Sequence, residues 1–109
     1  MNAQQYAIAT TEREIENAYL DLRRMLTTGR SREAVKQAIG LASHDEARLW
    51  NYLREYASLE INYRETTPLL VVRALADNWQ AEKNPEFLAH AVLTLIHAPK
   101  GDPIAKFLP

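Results

Sequence analysis

The segment from Ser43 to Arg64, S-H-D-E-A-R-L-W-N-Y-L-R-E-Y-A-S-L-E-I-N-Y-R, contains neither glycine nor proline, and the next helix breaker is Pro68. On a wheel turning ~100° per residue, Leu49, Trp50, Leu53, Ala57 and Ile61 form one apolar stripe. Tyr52, Tyr56, Leu59 and Tyr63 form a second stripe beside it. Together they span roughly 200°, about twice what a surface helix needs. A helix apolar on two sides must be covered on two sides, either by two layers of its own chain or by one layer and another molecule. This segment therefore reads as a central helix around which the rest is arranged.

Its start is marked by Ser43 and Glu46, an S-x-x-E capping box in which each side chain accepts from the other's backbone N–H. Asp45 and Glu46 add negative charge where the helix dipole favours it. Near its end Glu60 and Arg64 stand four residues apart with the acid first, the better order for a helical ion pair. The spacing predicts a pair at the rim of the core, or one that orients a partner.

The flanking segments are also helical. Thr11 opens T-E-R-E, a second capping box, and Ile15, Ala18, Tyr19, Leu22, Met25 and Leu26 recur at helical spacing up to Gly29, which suits the left-handed position that ends helices. A helix over 11–27 follows; residues 1–10 are ambiguous. Ser31 is placed to cap a short helix, Arg32 to Ile39, that Gly40 ends. Thr66 or Thr67 caps a helix over 68–82 with Pro68 at its first helical position, where the missing N–H costs nothing. Asn84-Pro85 repeats the device for a helix from Pro85 to about His97. In the fourth segment Val71, Val72, Leu75, Ala76 and Trp79 form a broad face opposite Leu70, Ala74 and Ala81. In the fifth, Leu88, Val92, Leu95 and Ile96 point inward. The last stretch, A-P-K-G-D-P-I-A-K-F-L-P, holds three of the five prolines and can form neither a regular helix nor a central strand. The expected fold is all-α: one domain over residues 1–109, a bundle of about five helices with an extended, proline-rich tail over 98–109.

Composition narrows the function. There is no cysteine, hence no disulfide framework, thiolate nucleophile or common cysteine zinc site. The formal net charge of −1 gives no whole-molecule field toward nucleic acid or membrane. No apolar run approaches the ~20 residues of a membrane span, and the first residues lack the basic-then-apolar order of a secretory signal. A cytoplasmic location is the expectation.

Candidate chemistry is sparse. His90 and His97 lie two helical turns apart, ~10 Å, too far to share one ion, and His44 is on another helix. Glu12, Glu14 and Glu16 alternate with other residues on a solvent-facing side of the first helix. Ser31 and Ser43 read as caps, and Ser58 sits on a polar face. Neither a Walker-type nor a dinucleotide-type glycine loop occurs. No catalytic, cofactor or metal site is implied, and no small-molecule substrate is evident.

Two surfaces have functional content. The tyrosine stripe (Tyr52, Tyr56, Leu59, Tyr63), together with the apolar tail residues Ile104, Phe107 and Leu108, is the expected protein interface, because aromatic residues are enriched at interface cores. The leading reading is a non-enzymatic interaction module, a small helical subunit, adaptor or inhibitor, expected to self-associate as a homodimer. The rival reading uses Arg23, Arg24, Arg30, Arg32 and Lys36, which meet only Glu33 in their own stretch. A helix, a turn and a helix follow, so residues 30–53 resemble a helix-turn-helix whose basic residues could touch phosphates. Against it, the would-be recognition helix starts H-D-E, two acids that a phosphate backbone repels.

Overall fold

Thr11 begins the fold as the sequence suggests. Its Oγ1 accepts from the Glu14 N–H at 3.1 Å, and α1 runs Glu12–Thr27 in the computed structural model, which describes residues 11–64, 66–79 and 85–98. Ile15, Tyr19, Leu22 and Leu26 are its buried side. Gly29, at φ 73°, makes the left-handed turn that ends it, a conformation in which a side chain would be strained.

α2 departs from expectation. It runs Ser31–His44, straight through Gly40. Glycine costs a helix interior only ~1 kcal/mol, and the inward sequence Ala34, Ala38, Leu41 continues past it, so burial of Leu41 carries the helix on. Ser31 is the first helical residue; the cap position is Arg30, which makes no side-chain capping bond. Ser43, expected as a cap, lies in the last turn and donates its hydroxyl to the Ile39 carbonyl.

The break comes at Asp45, in extended geometry (φ −155°, ψ 94°). One residue does both jobs. Its N–H donates to the Leu41 carbonyl at 2.9 Å, closing α2, and its carboxylate accepts from the Arg48 N–H at 3.1 Å, opening α3. α3 runs Glu46–Glu60 and buries Leu49, Trp50, Leu53 and Ala57. It is shorter than the sequence pattern at both ends, so Ile61, Tyr63 and Arg64 belong to the turn beyond it.

α4 spans Thr66–Asp77 and α5 spans Pro85–His97. α4 already begins at Thr66, so Thr66 and Thr67, expected as caps, are helical and Pro68 is its third residue and not its first; it still lies in the first turn, where the N–H has no helical partner to lose. α4 stops short of residue 82: the Asn78 side chain and backbone both donate to the Ala74 carbonyl and close it. Its buried side is Leu69, Val72 and Ala76. Val71, expected inward, is exposed beside Leu70, because it lies one residue from Val72 and so about 100° around the helix. Trp79 is half-buried at the rim, unlike Trp50, which is buried.

α5 approaches all four other helices, packing most closely on α2 and α4; α3 also meets all four, reaching α1 only through side chains. Leu88, Ala91, Val92 and Leu95 are its buried residues. α3 leans on α4 and α2, and its Arg54 Nε sits 2.8 Å from the Asp77 carboxylate of α4. The all-α bundle is as the periodicity predicts, and no strand forms among the described residues. Among them, no helix is long and apolar enough to cross a membrane.

Candidate interaction groove

The backbones of α1 and α3 run side by side but hardly approach each other. Large side chains bridge the gap. Tyr19 of α1 meets Tyr52 of α3 with ring centroids 5.0 Å apart and planes tilted by 51°. Tyr52 in turn meets Tyr56 at 6.4 Å. Tilted arrangements at these separations suit the quadrupoles of the rings. The three tyrosines make the floor of a groove formed by adjoining hollows along α3, each sharing residues with the next.

At one end Arg48 closes it. Its guanidinium lies 5.3 Å from the Tyr19 ring centroid and binds the Glu12 carboxylate with two hydrogen bonds, at 3.0 and 2.7 Å. The Arg48 hydrogen bonds hold the Glu12 carboxyl below the usual carboxylate range. The next section, about 470 Å³, is walled by Glu16 and Leu20 from α1 and by Asn51 and Glu55 from α3. It continues past Arg23, Thr27 and Leu59. It ends beside Leu26, Glu60, Arg64, Ile96 and Ala98. Leu20 is 58% exposed and Leu59 68%, so each rim carries a large apolar side chain open to solvent.

Burial pushes the Tyr19 and Tyr52 hydroxyls up to about 12, with nearby Arg48 and Arg23 respectively pulling the other way. Tyr56 is raised for the same reason. None of the three hydroxyls hydrogen-bonds another described residue. The groove thus presents phenol donors on an apolar floor, with the carboxylates of Glu16 and Glu55 on its walls, neither in an ion pair among the described residues.

The other end is fixed by Arg64, which is 5% exposed. Its guanidinium donates to the carbonyls of Leu95, Ile96 and Ala98. These belong to the end of α5, where carbonyls lack helical partners and the dipole favours a cation. Glu60 stands 3.2 Å away as counter-charge. The expected Glu60–Arg64 pair is present, but its larger task is to tie the turn after α3 to the end of α5.

Of the residues expected at a protein interface, Tyr52, Tyr56 and Leu59 line the groove together. Tyr63 does not: it lies in the turn beyond α3, 62% exposed, because the helix ends before the wheel pattern does. Ile104, Phe107 and Leu108 lie outside the described residues. Tyr19 was not singled out by the sequence, since its spacing with Ile15, Leu22 and Leu26 marks it only as core. The basic residues Arg23, Arg24, Arg30, Arg32 and Lys36 are all exposed. Arg23 faces the groove, Arg24 pairs with Asp21 at 3.4 Å, and Arg30 stands in the α1–α2 turn. The turn expected around Gly40 is helix, so α2 and α3 are separated by Asp45 alone. His97 Nε2 is 3.1 Å from the Ser31 hydroxyl, and among the described residues no group of histidine and carboxylate side chains is arranged to hold a metal ion.

Comparison with protein-family models, with curated proteins and with solved structures gave no match.

Proposed function

We propose that this chain is a non-enzymatic protein–protein interaction module, a small helical subunit, adaptor or inhibitor that associates through the α1–α3 groove, with a second copy of itself as one partner. The observation that carries this reading is the tyrosine floor between two exposed leucines. Tyrosine combines a large apolar body with a hydroxyl that needs a partner, which suits a surface that is alternately wet and covered. An apolar segment laid in the groove would cover Leu20 and Leu59 and offer acceptors to the phenols. The duplex-binding reading draws less support: α3 begins with Asp45 and Glu46, Arg48 is engaged by Glu12, and one side of α3 is packed on α4. Sedimentation equilibrium tests the proposal. The full chain is expected to self-associate reversibly with rising concentration, and Tyr56→Glu to abolish this without unfolding the bundle. A salt titration against duplex DNA separates the rival, which requires a steep negative slope.

A further inference from the structure

Along α1 one exposed side reads Glu16, Leu20, Arg23 and Thr27. At ~100° per residue these four fall within about 60° of one another around the helix. Glu16 and Arg23 stand two turns apart, about 10 Å along the axis, with Leu20 between them. Neither makes an ion pair among the described residues. We infer that a second copy of the chain docks on the groove antiparallel to the first, about a two-fold axis beside Leu20, so that Arg23 of each copy meets Glu16 of the other; this rests on the proposed role of the groove in self-association.

The two halves of the groove lack opposite charges. The half toward Arg48 is lined by the carboxylates of Glu16 and Glu55 and by Asn51. Its guanidinium, that of Arg48, is already taken by Glu12, so this half is short of a cation. The other half is lined by Arg23, Tyr52 and Tyr56. An arginine without a counter-ion and two phenol donors without acceptors among the described residues stand together there. Glu60 at its edge is held by Arg64, so this half is short of an anion. Glu55 borders both halves.

A second copy supplies both missing charges. A two-fold axis exchanges positions equidistant from it, and with the axis between Tyr19 and Leu20 position 16 falls opposite position 23. Arg23 of the second copy then enters the half that holds Glu16 and Glu55. Glu16 of the second copy enters the half that holds Arg23 and the phenols, where its carboxylate can accept from both. Leu20 of each copy lies beside the axis, against its counterpart and the tyrosine floor. With the two α1 helices parallel instead, Glu16 would face Glu16 and Arg23 would face Arg23, and like charges side by side oppose association. The charges thus choose the orientation, while Leu20 and the tyrosines supply the apolar contact.

Charge swaps followed by sedimentation equilibrium of the full chain test the pairing. Glu16→Arg alone sets arginine against Arg23 of the other copy, and Arg23→Glu alone sets glutamate against Glu16. Each should weaken self-association by ~tenfold or more. Glu16→Arg and Arg23→Glu together in one chain restore opposite charges and should restore association. An equimolar mixture of the two single variants should associate as mixed pairs. Both positions are exposed, so the helix content by circular dichroism should match the wild type in every variant. Single variants that associate as the wild type does, or a double variant as weak as the single ones, overturn the inference, as does a wild type that stays monomeric. Tyr56→Glu acts on the floor and leaves both charges in place. Association that Tyr56→Glu abolishes and the single swaps leave untouched keeps the groove and discards the antiparallel pairing, so the two ideas fail separately.

Discussion

The two sides of α3 differ in how they are finished. On one side Leu49, Trp50, Leu53 and Ala57 are sealed, at 0 to 3% exposure, against neighbouring helices. On the other Tyr52 and Tyr56 are only half-buried and Leu59 is open. Both stripes are apolar by sequence. What separates them is the residue type. Leucine and alanine carry nothing that needs water and can be closed over completely. Tyrosine buried to the same degree would strand its hydroxyl, at a cost of ~1–3 kcal/mol. A closed side and a part-open side can thus be written on one helix by the choice between leucine and tyrosine.

That contrast can be broken most severely on the closed side. Trp50→Ala should cost about 3–5 kcal/mol, as expected for a large buried aromatic, measured by urea unfolding. A loss of less than ~1 kcal/mol would move Trp50 to the surface. Arg64→Ala should be comparable, about 3–5 kcal/mol, because it leaves Glu60 without its counter-charge and the end carbonyls of α5 without donors. Arg64→Lys should recover little, since a single ammonium cannot reproduce the spread of donors by which the guanidinium reaches three carbonyls and Glu60. Trp79, half-buried at the rim, should cost clearly less than Trp50 on truncation, about 1–2 kcal/mol by the apolar area it covers.

On the groove side the expected effects are smaller and depend on pH. Tyr19 and Tyr52 hold their protons to about 12, above the ordinary value near 10 of an unfolded chain. The folded state therefore binds protons more tightly than the unfolded one. Its stability contribution is full below pH ~10 and declines as pH rises from there toward 12. Unfolding midpoints measured across this window should fall, and Tyr52→Phe should flatten the decline. A midpoint that stays level in the wild type would contradict the burial of these hydroxyls.

The helices were legible because caps and 3.6-residue periodicity act locally. Thr11 and Gly29 mark α1 as they should, and Pro85 marks α5. The misreadings arose where a distant contact outweighed a local signal. Gly40 reads as a stop, yet Leu41 is buried and draws the helix onward. Ser43 reads as a cap, yet Asp45 two residues later accepts the capping bond. Tyr52, Tyr56 and Leu59 were legible as one surface from the wheel alone. Tyr63 was misplaced because nothing in the wheel shows that α3 ends at Glu60. Tyr19 and the Glu12–Arg48 closure were hidden, since they depend on how α1 lies beside α3, and no spacing within either helix encodes that. Arg64 was readable as the partner of Glu60 but not as the residue that finishes α5.

The claim that the tyrosine side is a binding face and not an unfinished core is tested most directly by Tyr56→Glu, with association and stability measured on the same sample. Sedimentation equilibrium of the wild-type chain should show an average mass that rises reversibly with concentration. The Tyr56→Glu chain should remain monomeric while its free energy of unfolding in urea stays within ~1 kcal/mol of wild type, as for a surface substitution. A monomeric wild type at every concentration, together with a Tyr56→Glu chain destabilised as strongly as Trp50→Ala, would contradict the account and make the tyrosines part of the core.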